Sequence, residues 1–398
     1  MNRARIHQFS AWACSVFMLG LLPLLFRDAF FDINRVKVQA VCFVCPVLFA
    51  FTISCTCKRK NCSGIAHCEG VSAFMLLWLV SALISYIASG FDPAVLSGSE
   101  GRYCGLFFLF SCGAAFYTIS SMRYGDFAAW LAICTAAFVA ALGLLHTYGV
   151  DPLGFYVRIQ KGQTQYFLST IGNIDFFGAY LAMVLPFAMG LAIFSEALSL
   201  RLLGFAASLI QMAGVACAHT DVAFAAMQVS CLLLFTLSSE TWGSIRRALF
   251  LWSFSWLMLP AIQAYMHHGH LTIDYSGVLL ALCESRAAHV IGIILLFSAI
   301  LTYFAENLHI ALPERRSALQ ILFALSFLFI AVLIASMVFI TYFQLGDDDI
   351  SSLLRFSDTW GSRRGFVYRC SLNALQEYMP LQWLFGKGLD KTRAILTP

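Results

Sequence analysis

The chain has 398 residues, of which 60% are hydrophobic, 15% aromatic and only 12% charged, with a formal net charge of +4. Soluble domains carry roughly 25% charged residues, so this composition excludes a water-soluble globule, which would lack the polar surface to cover itself. Long unbroken apolar runs also exclude a transmembrane β-barrel, whose strands are short and alternate in polarity. The composition therefore predicts an all-α, polytopic transmembrane helical bundle.

Apolar runs of about 20 residues, the length that crosses the hydrocarbon core, predict about 11 membrane spans. The predicted spans are 7–26, 38–57, 71–89, 106–122, 127–149, 176–194, 202–220, 221–239, 249–268, 286–305 and 321–343. The first is interpreted as a span and not a signal peptide, because no small-residue cleavage site follows it. Little more than "HTD" joins the seventh and eighth spans, which predicts a tight helical hairpin. The stretch 269–285 is open to interpretation as an interfacial or re-entrant piece.

Lysine and arginine in the short loops predict the orientation, because these residues accumulate on the cytoplasmic side. With the N-terminus inside, the inner segments hold Arg3, Arg5, Lys58, Arg59, Lys60, Arg123, Arg201, Arg246, Arg247, Arg315 and Arg316. An odd number of spans then places the segment after 343 outside. The predicted organisation is a transmembrane domain at 1–343, followed at 344–398 by the start of a large extracytoplasmic loop, helical in part.

Cations also occur in the predicted outer segments, where the orientation rule disfavours them. They are Arg27, Arg35, Lys37, Arg102, Arg158, Lys161, Arg355, Arg363, Arg364 and Arg369. One interpretation is salt bridging to Asp28, Asp32, Glu100 and the aspartates at 347–349. The alternative is that several bind an anionic ligand at the outer leaflet, because the planar arginine fork binds phosphate with two hydrogen bonds and stays charged.

A cysteine-rich segment is the first candidate for a metal site. It reads "CTCKRKNCSGIAHC" at residues 55–68. The spacing is not that of a paired CxxC zinc site, so the segment is interpreted as a reduced, cytoplasm-facing loop. No metal site is predicted.

Two loop-to-helix junctions carry specific motifs. "LSGSEGRYCGLFFL" (96–109) is a glycine-rich outer loop with Arg102 at the mouth of a span. "FLSTIGNIDFFGAY" (167–180) places Asn173 and Asp175 where a helix starts, and each is a good N-cap. An exposed helix N-terminus is also a site for an anion; the alternative is an ordinary cap on a membrane helix.

A third junction lies near the end of the sequence. "LRFSDTWGSRRGFVYR" (354–369) holds Arg363, Arg364 and Arg369, and "LFGKGLD" follows at 384–390. In this order between spans, and with the "TD" at 220–221, the motifs resemble those of the O-antigen ligase and O-antigen polymerase family. The resemblance covers roughly residues 70–395 and implies a C-type glycosyltransferase fold of about a dozen helices.

The resemblance implies a function in assembling cell-surface polysaccharide. Members transfer a glycan from an undecaprenyl-diphosphate carrier to an acceptor sugar or lipid at the outer face of the bacterial plasma membrane. The implied partners are this donor, the acceptor and membrane lipids, with no cofactor, metal or nucleic acid. Arg102 and Arg364 match the family arginines that bind the diphosphate, with Arg363 and Arg369 as neighbours. Preorganised cations stabilise the charge that develops on such a leaving group.

Attack by a sugar hydroxyl also requires a general base. In the family this base is a histidine in an "HN" pair later in the outer loop, and the present sequence ends at Pro398 before such a pair. The candidates are His267, His268 and His270 in "HHGH" at an outer helix end, although tandem histidines at an interface are more often incidental.

Other polar residues occur at or near membrane depth. His146 and His289 are interpreted as donors of hydrogen bonds that help helices pack. His219 and Asp221 form an acid–base pair by proximity in sequence only. Asp221 and Glu284 are noted because buried carboxylates within membranes are usually functional.

Two further classes stay open. The first is a transporter of lipid-linked sugars, which should show paired halves with broken helices; the sequence has none. The second is an inactive remnant or partner subunit, which the missing family histidine favours. The sequence does not separate ligase from polymerase.

Overall fold

The computed structural model describes residues 3–56, 69–120, 125–268, 277–310, 331–332, 335–336, 338–342, 355–358 and 360–389. Most of these residues are helical, which confirms the prediction of an all-α protein. The chain divides into two compact units, 1–131 with 355–398, and 132–354.

The first unit is built from helices of unequal length. In chain order they are α1 (Arg3–Ser15), a π-helical segment (Val16–Leu21), α2 (Leu22–Leu24), α3 (Ile33–Thr56), α4 (Glu69–Ala88), α5 (Pro93–Ser97), α6 (Leu106–Ser120) and the start of α7 (Gly125–Thr147). After residue 355 the unit adds two more helices, which we number last, α14 (Trp360–Leu375) and α15 (Pro380–Phe385). Its core lies where α1, α3 and α6 pack together, around Cys14, Val41, Cys45 and Ala115.

The second unit begins with the rest of α7, from Ala132 to Thr147, followed by a structured loop and a helical bundle. The loop has two 3-10 turns (Phe155–Arg158 and Lys161–Tyr166) and an antiparallel hairpin of β1 (Phe167–Leu168) and β2 (Gly172–Asn173). The helices are α8 (Ile174–Phe194), α9 (Leu198–Cys217), α10 (Asp221–Leu237), α11 (Trp242–His268), α12 (Gly277–Glu284) and α13 (Ala287–Asn307). The three residues between α9 and α10 confirm the predicted short connection.

Close helix packing in the second unit depends on small residues. A Cβ atom at Gly204 would lie only 2.6 Å from the backbone nitrogen of Ala192, so α9 meets the backbone of α8. Small side chains allow this approach between membrane helices. One face of α8, with Leu181 and Leu185, is fully buried. Helix α8 therefore packs in the interior of the unit, with α9 close against it.

Within the described residues, seven helices are long and apolar enough to cross a membrane, namely Ile33–Ser54, Gly70–Ala88, Asp126–Thr147, Ile174–Phe194, Leu198–Cys217, Trp242–Tyr265 and Ala287–Asn307. Shorter apolar helices cover Gln8–Leu24, Leu106–Ser120 and Asp221–Leu237. Large apolar side chains also lie on the outside: Phe43 and Phe74 are 74% and 73% exposed, and many such residues together are unusual for a protein surrounded by water. These features indicate a membrane-embedded protein.

Ten of the predicted spans coincide with these apolar helices. The eleventh, 321–343, lies mostly outside the described residues, so the number of spans stays a prediction. The ambiguous stretch 269–285 contains the short helix α12. Residues 269–276 of this stretch are also outside the described part.

Two arginines that the sequence assigns to the cytoplasmic side lie at one end of the second unit. Arg247 donates to the carbonyl of Ile193 at the end of α8, at 2.8 Å from Nε. Arg246 forms an ion pair of 3.1 Å with Glu306 near the end of α13. Cations are favourable beside the carbonyls of helix C-termini. Which side of the membrane this end faces stays a prediction.

Candidate functional site

The Arg102 loop (residues 98–105) joins α5 to α6 in the first unit. Gly98 has φ of +79°, which favours glycine, and a Cβ atom at Gly105 would collide with the backbone nitrogen of Gly98. The two glycines therefore close the loop at its base. At its tip the Arg102 amide donates to the Ser99 carbonyl at 3.2 Å, and the Arg102 side chain is exposed.

Hydrogen bonds attach this loop to the first turn of α3 and to Asp32 just before it. The Tyr103 hydroxyl donates to Asp32 Oδ2 at 3.0 Å, and Asn34 Nδ2 donates to the Gly101 carbonyl at 3.0 Å. Asp32 also lies 3.8 Å from the guanidinium of Arg35. The Arg102 loop and the start of α3 thus form one assembly at one end of the unit.

The C-terminal helix α15 lies at the same end. Gln382 Nε2 donates to the carbonyl of Ala88, the last residue of α4, at 3.0 Å. A Cβ atom at Gly386 would lie 3.6 Å from Ser85 Oγ. Because α4 leads through α5 into the Arg102 loop, the contact of α15 with the end of α4 puts α15 at the end of the unit where the Arg102 loop and the start of α3 lie.

Helix α14 carries the predicted arginine cluster. Arg369 forms a 2.6 Å ion pair with Asp358, whose carbonyl accepts from the Phe366 amide at 3.2 Å. Arg364 is exposed and lies about 140° around the helix from Arg369, at 100° per residue. Arg369 therefore holds the preceding segment, while Arg364 points elsewhere. The side chain of Arg363 lies outside the described residues.

The outer arginines differ in their ion pairing. Arg27 and Arg35 each pair with a nearby aspartate at 3.8 Å, as the salt-bridge interpretation expects. Within the part of the chain that the structure describes, no carboxylate pairs with Arg102 or Arg364. These two are the arginines that the sequence matched to a diphosphate site, and their donors are accessible to a ligand.

Asn173 and Asp175 have a local role at the start of α8. Asn173 Oδ1 accepts from the amides of Asp175 and Phe176 at 2.9 and 3.4 Å. Asp175 lies in the first turn, where a negative charge complements the helix dipole. The structure therefore has the ordinary cap that the sequence allowed, and contact of either residue with a substrate stays a prediction.

The loop before α8 is built on buried polar contacts. Ser169, with φ of +57°, donates its amide to His146 Nδ1 at 3.1 Å and its hydroxyl to the Val139 carbonyl at 2.7 Å. The Tyr156 hydroxyl donates to the Phe167 carbonyl at 2.6 Å. At Nδ1, His146 thus accepts a hydrogen bond from a loop amide, whereas the sequence predicts a donor that helps helices pack.

The turn between α9 and α10 positions a carboxylate. Asp221 accepts from the amides of Leu279 and Val278 at 3.1 and 3.4 Å, and so caps α12 from a distant point of the chain. The ring nitrogens of His219 in this turn are buried, and its φ of +54° is a rare conformation for a residue other than glycine. A helix cap explains the position of Asp221 without a catalytic role.

The buried ring nitrogens of His219 predict a pH-dependent stability. Burial lowers its pKa from 6.5 to about 4, so between these pH values the unfolded chain binds a proton that the folded chain does not. Stability should fall as the pH drops through this window, by about 2 kcal/mol between pH 7 and pH 5. The variant His219→Asn, which tolerates positive φ, should lose less stability on acidification. The measurement is thermal unfolding in detergent at both pH values; equal slopes would contradict this assignment.

The histidine and cysteine clusters are largely outside the described residues. His267 and His268 end α11, but their side chains, and the whole of His270, are not described. The same holds for 57–68 of the cysteine-rich segment. Among the residues that are described, no three His, Cys, Asp or Glu side chains are grouped to hold a metal.

Comparison of the chain with models of protein families, with curated proteins and with solved structures gives no match in any of the three. The resemblance to the O-antigen ligase and polymerase family therefore stays a prediction from the motifs.

The sequence did not reveal the residues that hold the segments together. Tyr103 meets Asp32 across 71 residues, and Gln382 meets Ala88 across 294. No spacing rule connects such positions. Asp358 lies within a motif already singled out, yet its pairing with Arg369 depends on the turn before α14.

The shared end predicts the result of a labelling experiment. Cys104 in the Arg102 loop is exposed and Cys370 on α14 is half-buried. In variants with a single cysteine, both should react with a membrane-impermeant thiol reagent in intact cells. Cys62 and Cys68, predicted to be cytoplasmic, should react only after permeabilisation. Labelling of Cys104 and Cys370 from opposite sides would contradict the shared end, and labelling of Cys62 from outside would reverse the orientation.

Proposed function

We propose that this protein is a membrane glycosyltransferase of the O-antigen ligase and polymerase type. It transfers a glycan from an undecaprenyl-diphosphate carrier to an acceptor sugar or lipid at the outer face of a bacterial plasma membrane. The observation that carries the proposal is that α15, which follows α14 in the chain, contacts the end of α4, from which the chain continues into α5 and the Arg102 loop. The Arg102 loop and α14 each bring an exposed arginine, Arg102 and Arg364, without an ion pair among the described residues.

The chemistry explains why such arginines are needed. The bond that breaks joins the sugar to a diphosphate, which leaves with additional negative charge. Arginine stabilises this charge with two parallel hydrogen bonds and remains protonated. Arg102 and Arg364 are the proposed diphosphate ligands. Arg369 acts on the site by holding the segment around Asp358 against α14.

The acceptor hydroxyl must lose its proton as the new glycosidic bond forms, and a general base supplies this step. His267, His268 and His270 are the proposed candidates, since a histidine titrates in the required pH range. Transfer should then depend on a base with a pKa near the working pH.

The test uses the purified full chain in proteoliposomes with lipid-linked glycan extracted from the source cells. The expected result is release of undecaprenyl diphosphate together with a glycan–acceptor product. Movement of the lipid-linked glycan between leaflets without product would instead identify a transporter. If the assay shows no product and no movement of the lipid-linked glycan, both the glycosyltransferase and the transporter are contradicted.

A further inference from the structure

The first unit contains a groove that the proposed function does not use. It has a volume of about 810 Å³ and lies among α3, α4, α5 and α6. Val38, Phe49, Leu76 and Phe107 are among the apolar side chains that line it. A cavity of this size is in the range of ligand-binding pockets.

The groove runs along the helices and not across them. On α3 its lining extends from Arg35 to Phe49, which is about 21 Å at the rise of an α-helix. On α6 it extends from Phe107 to Tyr117, about 15 Å by the same rise. One leaflet of a bilayer has a hydrocarbon depth of about 15 Å, half of the whole core. The groove therefore matches a single lipid chain that reaches from the headgroup level to the middle of the bilayer.

Polar groups that remain open to a ligand lie at one end of the groove. The deeper hydroxyls are engaged, because Ser111 donates to the Phe107 carbonyl at 2.7 Å and Tyr117 donates to the Ser72 carbonyl at 2.8 Å. At the other end the lining includes Arg35. The groove is thus apolar along its depth and cationic at its mouth.

Arg35 has hydrogen-bonding capacity to spare. Its side chain is 59% exposed, and its ion pair with Asp32 is long, at 3.8 Å. The Asp32 carboxylate also accepts from the Tyr103 hydroxyl at 3.0 Å, which holds it beside the Arg102 loop. A guanidinium has five N–H donors, so Arg35 can bind a phosphate while this pair persists.

We propose that the groove binds one acyl chain of an anionic phospholipid, with the lipid phosphate bound by Arg35 at the mouth. The charge selects the headgroup, and the length selects a chain that spans one leaflet. The site is independent of glycan transfer, since it uses neither Arg102 nor Arg364.

The test measures binding of defined lipids to the full chain purified in detergent and stripped of native lipid. Thermal unfolding is followed as phosphatidylglycerol, phosphatidylcholine or glycerol phosphate is added. Phosphatidylglycerol should raise the unfolding temperature at lower concentration than phosphatidylcholine, and glycerol phosphate, which has no acyl chain, should not raise it. Equal potency of the two lipids, or stabilisation by glycerol phosphate, would overturn the proposal.

Variants separate the mouth from the walls. Arg35→Gln should weaken the apparent affinity for phosphatidylglycerol about tenfold, the effect of losing a charge-assisted hydrogen bond. Arg27→Gln is the matched control, because Arg27 is exposed, has the same 3.8 Å pairing with an aspartate and does not line the groove. Cys42→Phe fills the groove and should abolish stabilisation while folding persists. If Arg35→Gln and Arg27→Gln behave alike, or if folded Cys42→Phe binds like wild type, the proposal is wrong.

Discussion

Replacing Arg102 or Arg364 with alanine is expected to reduce glycan transfer about 10²–10³-fold, the cost of removing one preorganised donor from a developing charge. Lysine at either position keeps the charge but loses the planar fork, so those variants should lie between alanine and wild type. Both side chains are exposed, so neither change should disturb folding. The measurement is the initial rate of undecaprenyl diphosphate release in proteoliposomes.

The control and the double variant make this result specific. Arg27→Ala removes a paired, exposed arginine that does not belong to the site, and should leave the rate unchanged. If Arg102 and Arg364 bind the same diphosphate, the double variant should lose less than the product of the two single effects, because residues that share a ligand are coupled. Wild-type rates in both alanine variants would refute the proposed site.

Replacing Gly105 with alanine is expected to destabilise the protein and to reduce transfer as well. The added Cβ would collide with backbone atoms of Leu96 and Gly98, and backbone cannot move aside as a flexible side chain can. Overpacking of this kind costs about 1–3 kcal/mol. The base of the Arg102 loop must then open, which displaces Arg102 from its position.

Gly190→Ala is the matched control, because a Cβ atom at Gly190 in α8 meets nothing within 4 Å. An alanine within a helix is also more favourable than a glycine. Gly105→Ala should show a lower unfolding temperature in detergent and slower transfer than Gly190→Ala. An unchanged unfolding temperature for Gly105→Ala would show that the loop has more room than the structure gives it.

Hydropathy alone located most of the helices but not their ends. The prediction 249–268 became Trp242–His268, which starts seven residues earlier. The reason is that a helix continues beyond the hydrocarbon core as long as its backbone hydrogen bonds are made. Arg247 can lie within the helix because its long side chain reaches the Ile193 carbonyl. Likewise α3 starts at Ile33, five residues before the predicted span 38–57.

Local chemistry also determined some details of the candidate site. Asn173 caps α8 because its short side chain accepts from amides two and three residues ahead, an interaction that any chain with this motif can make. The sequence shows that the Arg102 loop is rich in glycine. Two of these glycines, Gly98 and Gly105, are the residues that approach each other at the base of the loop. Such features depend on neighbours in the sequence and are readable from it.

Only the tertiary structure decided which arginines are paired and which segments meet. The sequence assigned no role to Asp358 within its motif, and the structure shows that it forms an ion pair with Arg369. The contact of Gln382 with Ala88 depends on how α15 packs at the end of α4. Whether a segment forms a membrane-spanning helix depends mainly on the hydrophobicity of its own residues, so it can be predicted from the sequence. Hydrogen bonds and ion pairs between distant segments exist only after the helices have packed, because packing sets their distances.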